Sequence, residues 1–468
     1  MIAAKWLAED VAEEFSGADL KDPRRERRLA RVASKLADDP EASFPDLFSS
    51  SAELEGFYRF LRNESFDWQD VLEPHLEATC GRAEQLGECL VIHDTTEFAF
   101  KGDRRGLGAT SSKAQGFFAH ASLLVALDEA RTPLGLGALQ QYARSGRKGR
   151  RLIRDRLDDE TSEGNRWLKG AASVEERCRG RFSAIHVADR EGDSYPFMSG
   201  IEGFEGRFVI RVAHDRCVID DDEQSTRLGE IVQGLQPRAF FEIPLSPRGK
   251  PLNPTMAKVH PSRRGRMATV CIAATTTTVR GPRSRRQSAS TMELNLVRVW
   301  EKNAPEGQPA VEWLLWTTEP IGTNAEIRKV VDIYRARWVI EEYFKALKTG
   351  CNFEKRQLES FDTLSTALTL FAPVAWKLLL ARSVARNKPK WPATSILSRL
   401  QIRYLEKRYG EPIRTASAAL AAMARLGGHL KQNGEPGWQT LGRGYEKLAT
   451  GEAFYNVLKQ RHETCDQS

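Results

Sequence analysis

The spacing of apolar residues divides the chain into a helical start, a strand-rich middle and a helical end. Near the start, Leu29, Val32, Ala33 and Leu36 recur at helical spacing. Asp22 followed by Pro23 supplies an N-cap and a first-turn residue, which predicts a helix to about Leu36. A second helix is expected around Ser51 to Leu61. From about Val71 the pattern turns to α/β. Cys89-Leu90-Val91-Ile92 is a short apolar run of strand type ending in His93-Asp94-Thr95-Thr96. Phe117 to Leu127 and Leu134 to Tyr142, separated by a turn at Asp128 to Pro133, read as an antiparallel meander. A helix around Trp167 to Arg179, a strand from Phe182 to Ala188, a short helix and a strand from Arg207 to Val212 complete a mixed sheet flanked by helices. Strand-like runs then follow at Ala239 to Leu245, Met267 to Thr278, Met292 to Trp300 and Val311 to Thr317. They predict a β-rich insertion over 215–312. Beyond Glu359 the spacing is helical again, over Leu364 to Val384, Ile396 to Tyr409, Ala416 to Leu430 and Tyr445 to Gln460. The expected division is 1–70, helical; 71–365, an α/β domain with the insertion; and 366–468, helical.

Composition narrows the class only a little. With 70 Lys+Arg against 63 Asp+Glu the net charge is +7, a mild excess, so the placement of charges matters more than their sum. The seven cysteines are scattered without a Cys-x-x-Cys pair and the histidines lack metal-ligand spacing, so neither a zinc module nor a disulfide framework is indicated. His93 reads as a strand residue. Lys5, Glu9 and Asp10 interrupt any secretory start, and the apolar stretch Leu364 to Ala381 carries Pro373 and Lys377. That stretch reads as a buried helix rather than a membrane span. A cytoplasmic protein without a membrane partner is expected.

Basic residues are grouped. Arg24, Arg27, Arg28, Arg31 and Lys35 fall on one face of the first helix, opposite its apolar stripe, and Arg59 and Arg62 close the second helix. Such a face suits DNA phosphates or base edges, although a solvated basic surface has the same pattern. Further arginines cluster at Arg147 to Arg151, at Arg263, Arg264 and Arg266, and at Arg283, Arg285 and Arg286.

The sharpest pattern is Tyr334, Arg337, Glu341 and Lys348, separated by three, four and seven residues. On a regular helix this spacing makes one narrow stripe beside the apolar positions Ile333, Ile340, Phe344 and Leu347. Asp94 and Asp189 are each delivered from a buried strand, where an unpaired carboxylate is costly unless a cation shares the site. Two strand aspartates and a helix glutamate, 152 positions after Asp189, make a hard all-oxygen site suited to Mg²⁺ or Mn²⁺. A pair of such ions serves in-line phosphoryl displacement.

His93-Asp94-Thr95-Thr96, Asp189-Arg190-Glu191-Gly192-Asp193 and the Tyr334/Arg337/Glu341/Lys348 row resemble the three catalytic motifs of bacterial DDE transposases, in their cut-and-paste insertion-sequence-four family. The likeness extends to Asp22-Pro23-Arg24-Arg25, to Tyr58-Arg59-Phe60-Leu61-Arg62-Asn63 and to Ala424-Arg425-Leu426-Gly427-Gly428, and so covers nearly the whole chain. It implies an α/β, ribonuclease-H-like catalytic core with a β-rich insertion, a helical N-terminal DNA-binding domain and a helical C-terminal dimerisation region. It also implies a homodimer on double-stranded transposon ends and target DNA, with Asp94, Asp189 and Glu341 holding two Mg²⁺ or Mn²⁺ ions. Cleavage would pass through a hairpin on the transposon end, and the 3′-hydroxyl would then join target DNA. By the same resemblance Trp313 matches an aromatic that stacks on a flipped base and Arg211 a basic residue near the active site; a core tryptophan and a strand-surface arginine read equally well. Tyr334, Arg337 and Lys348 would grip phosphates near the cut.

Two other classes share these features: a metal-dependent structure-selective nuclease without strand transfer, and a non-catalytic DNA-binding regulator. The intact acidic triad weighs against the regulator, since a DNA-binding protein has no need of three carboxylates beside a polyanion.

Overall fold

The computed structural model describes the chain except residues 1–5, 8, 112–113, 145–162, 220–223, 246–261, 283–289, 431, 433, 449 and 452–468. The predicted basic groups at Arg147 to Arg151 and at Arg283, Arg285 and Arg286, and most of the predicted helix Tyr445 to Gln460, lie outside the described residues.

Helix α1 (Pro23–Asp38) begins as its sequence dictates, with the Asp22 carboxylate accepting the Arg24 N–H at 2.8 Å. Its Leu29, Val32, Ala33 and Leu36 are buried while Arg24, Arg27, Arg28 and Arg31 are exposed. A short α2 (Phe44–Leu47) and α3 (Ser51–Leu61) pack beside it, Phe57 and Phe60 filling the space between. Helix α4 (Trp68–Glu84) then leads to the sheet.

Among the described residues, twelve strands form one sheet. Strands β1 (Glu88–Phe100), β3 (Gln115–Ala126) and β4 (Pro133–Tyr142) are antiparallel neighbours, the short β2 (Gly108–Ala109) flanking β3. On the other side of β1, β5 (Ser183–Ala188) and β6 (Arg207–Arg211) run parallel to it. Helices α5 (Asn165–Cys178) and α6 (Tyr195–Gly203) make the crossovers. The order β4-β3-β1-β5-β6 is thus three antiparallel strands followed by two parallel ones. The remaining strands continue the same sheet: β12 (Glu312–Thr317) pairs antiparallel with β6, then β11 (Thr291–Trp300) and β10 (Arg266–Arg280) follow. The far edge of β10 carries β7 (Cys217–Ile219), β8 (Ser225–Arg227) and β9 (Ala239–Leu245), with α7 (Leu228–Gly234) between β8 and β9. The insertion is β-rich, as its alternating pattern predicts, and is hydrogen-bonded edge-on to the core strands.

Two helices follow β12, α8 (Asn324–Arg335) and α9 (Trp338–Lys345), and then α10 (Phe361–Asn387). By length and apolarity α10 is long enough to cross a bilayer, but 94% of its most apolar window is buried inside the protein, against α4, β4 and α1. Trp376 anchors it, its indole N–H donating to the Pro133 carbonyl at 3.0 Å. Helices α11 (Arg399–Tyr409) and α12 (Ala416–Leu426) close the described chain with helical residues 438–448. The apolar face of α12, including Leu420 and Met423, is buried within this chain.

One hydrophobic cluster runs from Val11 through the N-terminal helices, one face of the sheet and α10 to Leu448, without a break near residue 70 or 365. Polar anchors reinforce the joins. Glu14 is buried between α4 and α10, where Arg82 Nη1 donates to Oε1 at 2.8 Å and His75 Nδ1 lies 2.6 Å from Oε2. His75 Nε2 accepts the Leu136 N–H at 3.2 Å, so the ring is neutral and its proton lies on Nδ1, toward Glu14. Arg82 balances the charge and stacks on Trp376, 4.1 Å from the ring centre. Arg356, also buried, donates to the carbonyls of Pro40 and Cys351, each at 2.6 Å, and to that of Ala42.

Candidate active site

Strand β1 does not end at Thr96 as its apolar run predicts; it continues to Phe100, because β3 pairs with it along its whole length. Its parallel partner stops sooner. The β1–β5 ladder ends at Ile92 and Val187, so Asp94 stands two residues past the doubly paired stretch, opposite Ala121 of β3. Asp94 Oδ1 accepts its neighbour's N–H, from Thr95, at 2.8 Å. Asp189 directly follows β5 and caps a single tight turn, Arg190–Gly192, by accepting the Glu191 N–H at 2.8 Å. The turn needs a glycine, since a Cβ on Gly192 would fall 2.5 Å from that of Ala188. Asp189, at the end of β5, is therefore brought beside the part of β1 that holds Asp94, where the two strands no longer pair.

The second aspartate of that motif, Asp193, has a structural task. It is buried, accepts the N–H groups of Ala213 and His214 at 2.7 and 2.9 Å, and pairs with Arg216 at 2.7 Å, which fixes the chain after β6.

The Tyr334–Lys348 row does not lie on one regular helix. Helix α8 ends at Arg335, and the backbone tightens to i→i+3 bonds: Arg337 N–H to Tyr334 carbonyl at 3.1 Å and Ile340 N–H to Arg337 carbonyl at 3.3 Å. After α9 the coil widens to a π-turn, Ala346–Gly350, closed by the Cys351 N–H on the Ala346 carbonyl at 2.8 Å. The tight turn at Arg337 keeps Tyr334, Arg337 and Glu341 together. The wide turn at Lys348 carries that residue elsewhere, 5.5 Å from the Phe98 ring of β1 and near Glu97 and Glu354, where burial lowers the affinity of its amine for a proton.

Arg337 is the junction of the site. Its Nη1 lies 3.3 Å from Asp94 Oδ2, and its Nη2 donates to Glu341 Oε1. Asp94 is pushed up to about 7, chiefly by burial and then by the negative charge of Asp189; Arg337 opposes that shift and Glu341 adds to it. Asp189 and Glu341 are thus both within electrostatic reach of Asp94, with one guanidinium between Asp94 and Glu341. Among the described residues, no three acidic, histidine or cysteine side chains are grouped closely enough to enclose an ion.

Tyr334 is buried against Trp313, edge to face with ring centres 5.5 Å apart. Burial raises its phenol pKa, opposed by the charges of Arg211 and Arg337. Arg211, at the end of β6, donates to the Glu312 carbonyl at 3.2 Å. Trp313 and Trp316 point to opposite faces of β12, as strand alternation requires: Trp316 is fully buried in the second core cluster, and Trp313 is half-buried. Trp338 was not singled out from the sequence, yet it is 45% exposed and lies 5.3 Å from the Arg337 guanidinium.

The remaining basic positions stand apart from the carboxylates. Arg24, Arg27, Arg28 and Arg31 line the exposed face of α1, although Arg28 also leans on the Gly56 carbonyl at 3.4 Å. Lys35 has turned inward to the Leu47 carbonyl at 3.1 Å and to Glu53 at 3.6 Å. Arg59 and Arg62 are exposed, making long contacts with Glu55 at 3.8 Å and Glu359 at 3.9 Å.

Comparison with known proteins gives these parts a context. Residues 5–66 match the family described as transposase DNA-binding, and residues 170–373 match the transposase DDE domain. The second match contains Asp189, Glu341 and the whole Tyr334–Lys348 row, while Asp94 precedes it. A solved piggyBac transposase synaptic complex with hairpin DNA is also similar, at 11% identity and a TM-score of 0.40, over 96% of this chain and 84% of that one. The chain carries a transposase DNA-binding domain followed by a DDE transposase domain, and so is a protein of DNA transposition.

Proposed function

We propose that the protein is a cut-and-paste DNA transposase of the insertion-sequence-four type, acting as a homodimer in the cytoplasm on paired transposon ends. The observation that carries this reading is the contact of Arg337 with both Asp94, 243 positions before it, and Glu341, with Asp189 close enough to Asp94 for its charge to act on that carboxyl. The strand order β4-β3-β1-β5-β6, antiparallel then parallel, supports a ribonuclease-H-like core.

DDE transposase domains in general work with divalent metal ions, and the donor set here fits one. Three carboxylates supply hard oxygen ligands, and Asp94, held up first by burial and then by the charge of Asp189, is a carboxyl whose ionised form a divalent cation would favour. Asp94, Asp189 and Glu341 would hold two Mg²⁺ or Mn²⁺ ions, which when bound would polarise the scissile phosphate and acidify the attacking oxygen. The protein's own groups do the rest. Arg337 offers its fork to a phosphate once the carboxylates no longer need it as counter-charge. Tyr334 and Arg211 form the wall beside it, and Trp313 presents a ring face to an unstacked base during hairpin formation. Lys348 binds backbone further along β1. The exposed face of α1, with Arg24, Arg27, Arg28 and Arg31, and the end of α3, with Arg59 and Arg62, grip the duplex.

The deciding experiment incubates the protein with DNA ends, Mg²⁺ and a supercoiled target plasmid. Ends covalently joined to plasmid are the expected product. Nicked ends without joining would replace the transposase by a structure-selective endonuclease, and binding without cleavage would leave a regulator.

A further inference from the structure

Each of the two aspartate motifs brings a buried histidine with it, His93 one residue before Asp94 and His186 three before Asp189. Neither takes part in the chemistry above, and both are fully inaccessible to solvent. They meet between the strands: His93 Nε2 lies 2.8 Å from His186 Nδ1, with the rings stacked at 16° and centres 5.1 Å apart. The row extends at both ends. Ser122 of β3 lies 2.9 Å from His93 Nδ1, and Glu175 of α5 lies 2.8 Å from His186 Nε2. One direction of donation satisfies every member with neutral rings: Ser122 hydroxyl to His93, His93 to His186, His186 to the Glu175 carboxylate. Buried polar groups are kept where each finds a partner, and this row leaves none of the four ring nitrogens over.

The position of the row gives it a purpose. Backbone pairing between β1 and β5 stops at Ile92 and Val187, just before the chain reaches the two aspartates. His93 stands one residue past that point, and its ring bonds back to His186, inside the paired stretch opposite Val91, so the bond links the two strands where their ladder ends, just before Asp94 and Asp189. Ser122 ties the same link to β3, and Glu175 ties it to the helix above. Gly170 of α5 lets that helix approach, since a Cβ there would be 3.1 Å from the Ser122 hydroxyl and 3.3 Å from His120. Phe197 closes the other side, edge-on to His93 at 5.6 Å.

We propose that His93 and His186, set by Ser122 and Glu175, are positioning residues that fix the separation of Asp94 and Asp189 and so tune affinity for the divalent ion. This rests on reading the two aspartates as ion-holding groups. Supporting groups behind metal ligands typically alter affinity by about 10–100-fold when removed.

The two ends of the His186 ring can be tested separately, because asparagine places its amide near the ring's Nδ1 and glutamine places its amide near Nε2. His186→Asn keeps the bond to His93 and loses Glu175; His186→Gln keeps Glu175 and loses His93. Both are buried polar replacements, so a merely structural role moves both melting temperatures and leaves ion affinities alike. Mn²⁺ binding to the full-length protein, followed by electron paramagnetic resonance without DNA, is expected to weaken about tenfold in His186→Gln and to stay within about threefold of the parent in His186→Asn. Should the glutamine variant not fold, His93→Gln against His93→Asn repeats the comparison, with glutamine now keeping the strand-to-strand bond. Equal Mn²⁺ affinity in the two members of a folded pair overturns the proposal. Parent protein whose Mn²⁺ binding is unmoved by Asp189→Asn overturns instead the assignment of the ion site, and is told apart by that control.

Discussion

Arg337 Nη1 lies 3.3 Å from Asp94 Oδ2, a contact that joins the motif helix to the central strand. The same guanidinium donates to Glu341, so it occupies ground that a divalent ion would claim. Arg337→Gln should therefore tighten Mn²⁺ binding in the absence of DNA while lowering cleavage, since a competitor for the carboxylates and a phosphate contact are lost together. Calorimetric titration of the ion beside a cleavage assay checks both; weaker ion binding in the variant would show Arg337 to be a support for the ligands rather than their competitor.

Asp94→Ala, Asp189→Ala and Glu341→Ala are each expected to bring cleavage below detection while end binding stays within about threefold of the parent, because the basic α1 face is remote from all three. Gel-shift and cleavage assays on the same preparations decide it. Near-normal cleavage in any one variant removes that residue from the triad.

On α1, Arg27 and Arg31 are exposed and make no contact as close as those of Arg28 and Lys35. Replacing both by Ala should reduce the slope of log affinity against log salt by about two, close to one counterion per lost phosphate contact. An unaltered slope in a salt titration would mean that DNA binds another face.

Trp313→Ala separates two roles in one variant. Loss of a stacked base removes about 1–3 kcal/mol of binding, and should fall on hairpin formation with first-strand nicking kept. The ring also touches Tyr334, so a small drop in melting temperature is expected. Uniform loss of every step with a large drop would make the ring a core residue.

Glu14 predicts an acid transition. Burial opposes ionisation of this carboxyl, yet His75 and Arg82 overcome it and hold its pKa at about 2 instead of 4.5. A depressed carboxyl stabilises the fold above its unfolded pKa and loses that contribution as pH falls through the folded one, here between about 4.5 and 2. The linkage amounts to roughly 3 kcal/mol. Urea unfolding of the parent should weaken across that window, and Glu14→Gln should be less stable at pH 7 with a flatter acid limb. Identical acid limbs would refute it.

Much of this was legible in the sequence where one physical rule governs a residue alone. The cap at Asp22, the buried stripe of α1, the opposite faces of Trp313 and Trp316, and the burial of α10 all follow from periodicity and the cost of stranded polar groups. What could not be read depends on partners distant in sequence. Strand β1 runs on to Phe100 because β3 is there to pair with it. Lys348 leaves the row because the coil widens at Ala346, and Lys35 leaves the basic face because Glu53 and the Leu47 carbonyl attract it. Of the histidine pair, His93 read only as a strand residue and His186 as one letter of an apolar run; its meaning needs the register that sets β1 against β5.

The insertion strands continue the core sheet at β12, where Leu315, Trp316 and Thr317 pair with Arg211, Ile210 and Val209 of β6. A sheet so joined behaves as a ruler. On the proposed function, the span from the carboxylates to Trp313 would be set by interstrand spacing rather than by a swinging arm, and the nucleotide that unstacks would be chosen by counting a fixed distance from the cut. Lengthening the loop between β11 and β12 should leave that distance untouched, whereas shifting the register of β12 on β6 would move the unstacked position along the DNA.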